Sequence, residues 1–241
     1  MKEWTFNEFK HCGVDYSDAA QAAVYDEEHQ KFRNFEQEVA DLLKALALDK
    51  PETMTLIDLG CGTGAFAVAA AKHFKKIYAV DVAEAMLDCA RKKAMGQGIT
   101  NIEFVNSGFL NYEHEAGTAD MVFSKAAFHH LPDFWKQAAL LKMNKMLKPG
   151  GILYLFDIVF HFPPETYEEK INGWISGFEK IAGPEFKKEV ETHIRDEYST
   201  FNWIMEGMLS RAGFAIDKIV TPDGMQTEYF CRKIAEGALI K

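Results

Sequence analysis

The chain has 241 residues, 48% of them hydrophobic, with 27 basic residues against 36 acidic ones and a formal net charge of −9. That apolar share supports a sizeable core in one or two domains. The acidic balance repels phosphate backbones and argues against nucleic acid as the partner. No run approaches the roughly 18 apolar residues of a membrane span, so no membrane association is expected.

The four cysteines, Cys12, Cys61, Cys89 and Cys231, form no CxxC pair. Their scatter suits a reducing compartment, and no metal site is expected from them. The stretch Met1-Lys2-Glu3-Trp4-Thr5 has no apolar h-region. No signal peptide is therefore expected, and the location implied is cytoplasmic.

Residues 17–48 read as helical, with Phe32, Phe35, Val39, Leu42, Leu43 and Leu46 at helical spacing. Pro51 stops the pattern. Residues 54–59 are a short apolar run ending in glycines, as a buried parallel strand would be. An alanine-rich helix is expected over 65–74, a strand over 76–81 and a helix over 84–94. Strands follow at 102–106 and 119–124, then a helix over 133–147. Pro149-Gly150-Gly151 reads as a turn before a fifth strand at 152–159. Strands alternating with helices argue for a parallel sheet with right-handed crossovers.

Residues 161–212 break this rhythm. The segment is mostly helical, punctuated by Pro163-Pro164 and Gly183-Pro184, and too long for a simple crossover. Within it Trp203, Met205, Met208 and Leu209 read as the core of an amphipathic helix. The run from His193 to Tyr198 is a polar cap or a substrate-contacting loop. Strands at 214–221 and 226–233, joined by Pro222-Asp223-Gly224, suggest an antiparallel pair at the end of the sheet.

The loop Asp58-Leu59-Gly60-Cys61-Gly62-Thr63-Gly64 lies between a strand and a helix. Such a loop lets backbone approach a ligand, and the helix N-terminus offers unpaired N–H groups to a phosphate or a carboxylate. Asp81 ends the next strand, where an acid can accept ribose hydroxyls. Gly60-x-Gly62-x-x-Ala65 followed by Asp81 also fits a nicotinamide dinucleotide, so these residues alone leave two cofactor classes open.

Residues 56–64, Leu-Ile-Asp-Leu-Gly-Cys-Gly-Thr-Gly, resemble the first motif of the class I S-adenosylmethionine-dependent methyltransferases. The later blocks agree in order. Val80-Asp81-Val82-Ala83-Glu84-Ala85-Met86-Leu87 resembles the second motif, and Ala119-Asp120-Met121-Val122 through His129-His130-Leu131-Pro132-Asp133 the fourth. Leu147-Lys148-Pro149-Gly150-Gly151 resembles the turn before strand five. Ala23-Val24-Tyr25-Asp26 is similar to the helix that precedes the core in the family's small-molecule members. The likeness covers residues 54–160; beyond that it is topological.

The resemblance implies a three-layer Rossmann-like α/β fold. Its sheet would have seven mostly parallel strands with an antiparallel last strand, with N-terminal helices and a helical insertion before strand six. Residues 1–241 would form a single methyltransferase domain, comprising an N-terminal helical cap (1–50), a cofactor-binding core (54–160), a helical lid or substrate segment (161–212) and a C-terminal strand pair (213–241). The implied cofactor is S-adenosyl-L-methionine, with S-adenosyl-L-homocysteine as product. Gly60, Cys61, Gly62 and Gly64 would line the methionine moiety, and Asp58 would brace the loop or reach the ammonium. Asp81 would bind the ribose, Val82 and Met86 would pack on adenine, and Lys125 would stand beside the cofactor.

One departure stands out. The family often places an acid two residues after strand three, near the adenine amino group, and here Val105-Asn106-Ser107-Gly108-Phe109 puts a glycine there. Adenine recognition would then fall to backbone at Gly108, to Ser107, or to stacking by Phe109.

Methyl transfer asks the protein mainly to hold the acceptor in line and exclude water, with a base only where the acceptor arrives protonated. The candidates are His129, Lys125 and Asp157, near the carboxyl ends of strands four and five, with His130 and His161 beside them. The acceptor expected is a small molecule. The alternatives are a non-catalytic S-adenosylmethionine-binding protein and an NAD-dependent oxidoreductase. The sequence does not specify an oligomeric state.

Overall fold

The computed structural model describes residues 3–10, 12–13 and 33–236. The 23–26 motif and residues 17–32 of the expected helix lie outside the described residues.

Helix α1 (Phe35–Leu46) starts where the Asn34 side chain accepts a hydrogen bond from the Gln37 N–H, satisfying one of the first-turn donors. Val39 and Leu42 are its buried residues. Strand β1 (Thr55–Leu59) is buried at four consecutive positions, which is why it reads as a continuous apolar run rather than an alternating one. Helix α2 (Ala65–Ala70) is shorter than the expected 65–74, because the backbone leaves the helix in turns from Ala71 onward. Next come β2 (Lys76–Asp81), α3 (Glu84–Gly96), β3 (Ile102–Asn106), β4 (Ala119–Lys125) and α4 (Asp133–Met146).

Strand β5 (Leu147–Phe160) begins earlier than expected. Pro149-Gly150-Gly151 is an irregularity inside the strand: Ala119 pairs with Leu147, the register shifts, and Met121 pairs with Ile152. Lys148, Pro149 and Gly150 are exposed there.

The 161–212 segment folds as α5 (Tyr167–Ala182), α6 (Pro184–Asp196), the two-residue strand β6 (Thr200–Phe201) and α7 (Asn202–Arg211). Helices α5 and α6 pack on each other. In α7 Met205, Met208 and Leu209 are buried as expected, but Trp203 is 62% exposed and stacks on Phe201 outside the core. The chain ends in β7 (Phe214–Val220) and β8 (Gln226–Lys233).

The sheet order is β3-β2-β1-β4-β5-β8-β7, with β6 pairing onto β5 outside that path. Strands β1 to β5 are parallel, and β8 runs antiparallel to both β5 and β7. The expected seven strands are present, and the short β6 is an addition. One core forms where α4 and α7 cover one face, around Leu140, Met143, Met205 and Leu209. The other forms where α1 and α2 cover the opposite face, around Val39, Phe66, Ala70 and Phe123. The chain reverses direction across the sheet at β1 and β4, so a crevice opens at their carboxyl ends.

Candidate active site

A cavity of about 220 Å³ fills that crevice. Asp58, Gly60, Cys61, Gly62, Asp81, Val82, Met86, Gly108, Phe109 and Lys125 all line it, together with Ser107, Ala126, Ala127 and His130. Nearly all the residues expected around the cofactor therefore converge on one space.

Gly64 is the exception. It is absent from the wall, and a Cβ there would lie 2.6 Å from the Ala90 Cβ, in a backbone with φ +68°. Its small size lets α3 approach the start of α2.

Two carboxylates line the cavity, the buried Asp58 and the half-buried Asp81. Asp81 Oδ2 accepts from the Gly62 N–H at 2.8 Å, and Oδ1 accepts from the Ala83 N–H at 2.8 Å. Burial still holds its pKa above the ordinary carboxylate range. Asp58 Oδ2 is buried and, among the described residues, has no hydrogen-bond partner. Burial, and then the neighbouring Asp81 charge, push the Asp58 pKa up to about 8, with Arg33 opposing.

The rim carries a charge network that sequence reading missed in part. Glu38, on α1, accepts from Arg33 Nε at 2.8 Å and Nη2 at 2.7 Å, and from Lys125 Nζ at 2.8 Å. Burial raises the Glu38 pKa, but the two cations outweigh it and leave it lowered. Burial first, and the Arg33 charge second, lower the Lys125 pKa. Glu38 sits at a helical position with no motif around it, so only the fold brings it to Lys125.

The N-terminal segment closes another side. Phe6, Glu8, Phe9, Lys10 and Cys12 line the cavity. The Glu8 carboxylate accepts from the Leu110 N–H at 3.0 Å and from Asn111 Nδ2 at 2.5 Å. A Cβ on Gly108 would lie 2.3 Å from the Glu8 carboxyl carbon. The acid missing at position 108 is thus supplied from 100 residues upstream, and no motif marks it.

His129 and Asp157 do not reach the cavity wall. Asp157, in β5, accepts from the His129 backbone N–H at 3.0 Å and lies 2.5 Å from His129 Nδ1. The other ring nitrogen of His129, Nε2, faces Glu197 Oε2 at 3.3 Å. His193 Nδ1 contacts the same Glu197 oxygen, and His193 Nε2 lies 2.8 Å from Ser199 Oγ. Burial disfavours a charged His129, but the Asp157 carboxylate outweighs it and raises its pKa. The His130 pKa is pushed down to about 4 by burial and by the His129 charge. His161 stands elsewhere, 3.4 Å from Glu206. The polar run from His193 to Tyr198 therefore folds against His129 through Glu197.

Comparison with known proteins agrees with this geometry. Residues 56–151 match the model of a methyltransferase domain. An uncharacterized methyltransferase of Geobacillus kaustophilus is 26% identical over 176 residues, covering 73% of this chain and 75% of its own. The crystal structure of a SAM dependent methyltransferase from Aquifex aeolicus superposes with a TM-score of 0.62 at 20% identity, covering 90% of this chain and 98% of that one. A phosphoethanolamine N-methyltransferase of Haemonchus contortus, solved with phosphomonomethylethanolamine and S-adenosylhomocysteine, superposes with a TM-score of 0.65 at 17% identity, covering 91% of this chain and 60% of that one. Residues 56–151 thus match a methyltransferase domain, and the sheet around them has the fold of the S-adenosylmethionine-dependent methyltransferases.

Proposed function

We propose that the protein transfers a methyl group from S-adenosylmethionine to a small-molecule acceptor by in-line displacement. The observation that carries this reading is Asp58: a buried carboxylate oxygen at the glycine loop with no partner among the described residues. A cationic ligand group there gains a charge-assisted hydrogen bond. The amino-acid end of S-adenosylmethionine brings an ammonium that favours and pairs with the ionised form of Asp58, whereas a nicotinamide dinucleotide brings a pyrophosphate that offers its carboxylate no donor. This favours methyl transfer over hydride transfer.

In this reading Asp81 accepts from the ribose hydroxyls while its bonds to Gly62 and Ala83 hold it in place. Val82, Met86 and Phe109 provide apolar surface for the adenine, and Glu8 provides the acceptor for its amino group. S-adenosylmethionine, when bound, supplies the methyl group and carries away the leaving sulfide. The chain's part is to exclude water and to hold the acceptor in line. Lys125, Ala126 and His130 border the cavity along the carboxyl end of β4 and would flank the acceptor. The acceptor class rests on the size of the cavity, about 220 Å³, and on the small phosphorylated amine in the Haemonchus contortus structure as a precedent on the same fold.

Calorimetric titration with S-adenosylhomocysteine and with NAD tests the cofactor, and S-adenosylhomocysteine release over pooled metabolites tests turnover. Binding of NAD in preference would overturn the reading. Homocysteine-nucleoside binding with no turnover on any pool would favour a binding module.

A further inference from the structure

Behind the His130 side of the cavity lies a cluster that methyl transfer to a bound acceptor does not require. One ring nitrogen of His129, one of His130 and one carboxylate oxygen of Glu197 lie within 4.8 Å of one another. They come from two distant parts of the chain: the turn after β4, and the end of α6. The Glu197 side chain is 2% exposed and that of His129 7%, so the cluster is built into the interior rather than spread on the surface.

The geometry points to a divalent transition-metal site of zinc type, with His129 Nε2, His130 and Glu197 as its three protein ligands. Four relationships support it. His129 is oriented by a buried carboxylate, since Asp157 lies 2.5 Å from Nδ1 and also holds the backbone N–H of the same residue. A carboxylate on one ring nitrogen with the other turned to the metal is the usual outer support of a ligating histidine. Next, His129 Nε2 and Glu197 Oε2 are 3.3 Å apart. That is long for a charge-assisted hydrogen bond, which runs about 2.7–2.9 Å. It matches the ligand-to-ligand edge of about 3.3 Å that bonds of about 2.0–2.1 Å make at a tetrahedral angle.

Third, Glu197 is held in place by its neighbours. His193 contacts its Oε2, and the Tyr198 N–H donates to the His129 carbonyl at 2.9 Å, tying the two ligand segments together. Lys136, 1% exposed, donates to the Tyr198 carbonyl and so fixes the same turn on α4. Finally, two imidazoles and one carboxylate form a donor set that suits zinc, and also iron or cobalt, in sites that keep a coordination position open. His130 lines the cavity as well, so one ligand of the site borders it. No short motif marks this site in the sequence, because the fold alone brings Glu197 to the adjacent His129 and His130.

Cobalt(II) alone, titrated into the full-length untagged protein without cofactor, tests the site independently of the methyltransferase reading. The expected result is a saturable visible d–d absorption at one equivalent, without the thiolate-to-metal charge-transfer band that Cys12 or Cys61 would produce. Glu197→Gln keeps the shape of the side chain and is expected to weaken binding at least tenfold, as is His130→Ala. Nitrogen NMR of the unmutated protein avoids any folding defect of the variants: zinc should shift imidazole resonances of His129 and His130. Absence of a saturable band, a thiolate band, unchanged affinity in both variants, or unmoved histidine resonances would each overturn the proposal.

Discussion

Asp58 and Asp81 end adjacent parallel strands at the same cavity, yet only Asp81 is engaged: its carboxylate holds Gly62 and Ala83, while Asp58 Oδ2 meets no donor among the described residues. Burial disfavours the charge on Asp58, and the Asp81 carboxylate adds to the effect, so the Asp58 pKa stands at about 8. At neutral pH without ligand, Asp58 is therefore mostly protonated.

The folded protein binds that proton more tightly than the unfolded chain, whose Asp58 titrates near the ordinary 3.8. The contribution of Asp58 to stability is thus greatest below pH 3.8, falls as pH rises from about 4 to about 8, and is level above that. Urea denaturation at stepped pH should show this fall, and Asp58→Asn should flatten it. An ammonium arriving at Asp58 favours the ionised form, so S-adenosylhomocysteine binding at pH 7 should release a proton. Calorimetry in two buffers of different ionisation enthalpy measures that release, which Asp58→Asn should abolish.

Asp81→Ala removes the ribose acceptor and the brace on Gly62 together. S-adenosylhomocysteine affinity should fall by about 1–3 kcal/mol, the scale for a hydrogen-bonded charged group. Unchanged affinity in a folded variant would remove Asp81 from the ribose assignment.

His129 stands behind the cavity wall, so His129→Ala should leave S-adenosylhomocysteine affinity close to that of the parent. A large loss would show that the ring supports the cofactor walls through His130.

Gly64→Ala places a methyl group 2.6 Å from the Ala90 Cβ. Overpacking of this kind costs about 1–3 kcal/mol. Denaturation should show the loss, with α3 displaced from the start of α2.

Gly108→Ala should expel the Glu8 carboxylate from its place against Leu110 and Asn111. The lost hydrogen bonds amount to about 1–3 kcal/mol. In a Glu8→Ala background the same substitution should be nearly neutral. Denaturation of the four proteins in the cycle gives the coupling directly.

Much of the fold was legible because it is local. Each of β1, β2, β3 and β4 reads as a short apolar run, and the turn residues between them sit where the chain changes element. Pro149-Gly150-Gly151 misled because a bulge inside a strand and a turn between elements use the same residues. Trp203 misled because helical spacing identifies a face but does not limit how much of it is covered. The glycine loop and Asp81 were legible as a pair within one βαβ unit. Glu8, Glu38 and Glu197 were not, since each reaches its partner through tertiary packing: Glu8 to Leu110, Glu38 to Lys125, Glu197 to His129.

The displacement of Gly108 by Glu8 also bears on descent. A chain with acids at both positions would crowd two carboxylates into one small space. A chain with neither would leave the Leu110 N–H and the Asn111 amide without their acceptor. Any lineage passing between the two arrangements crosses a poorer intermediate, so positions 8 and 108 should change together among relatives, although an alignment column for either alone would show an unexplained glycine or an unremarkable glutamate.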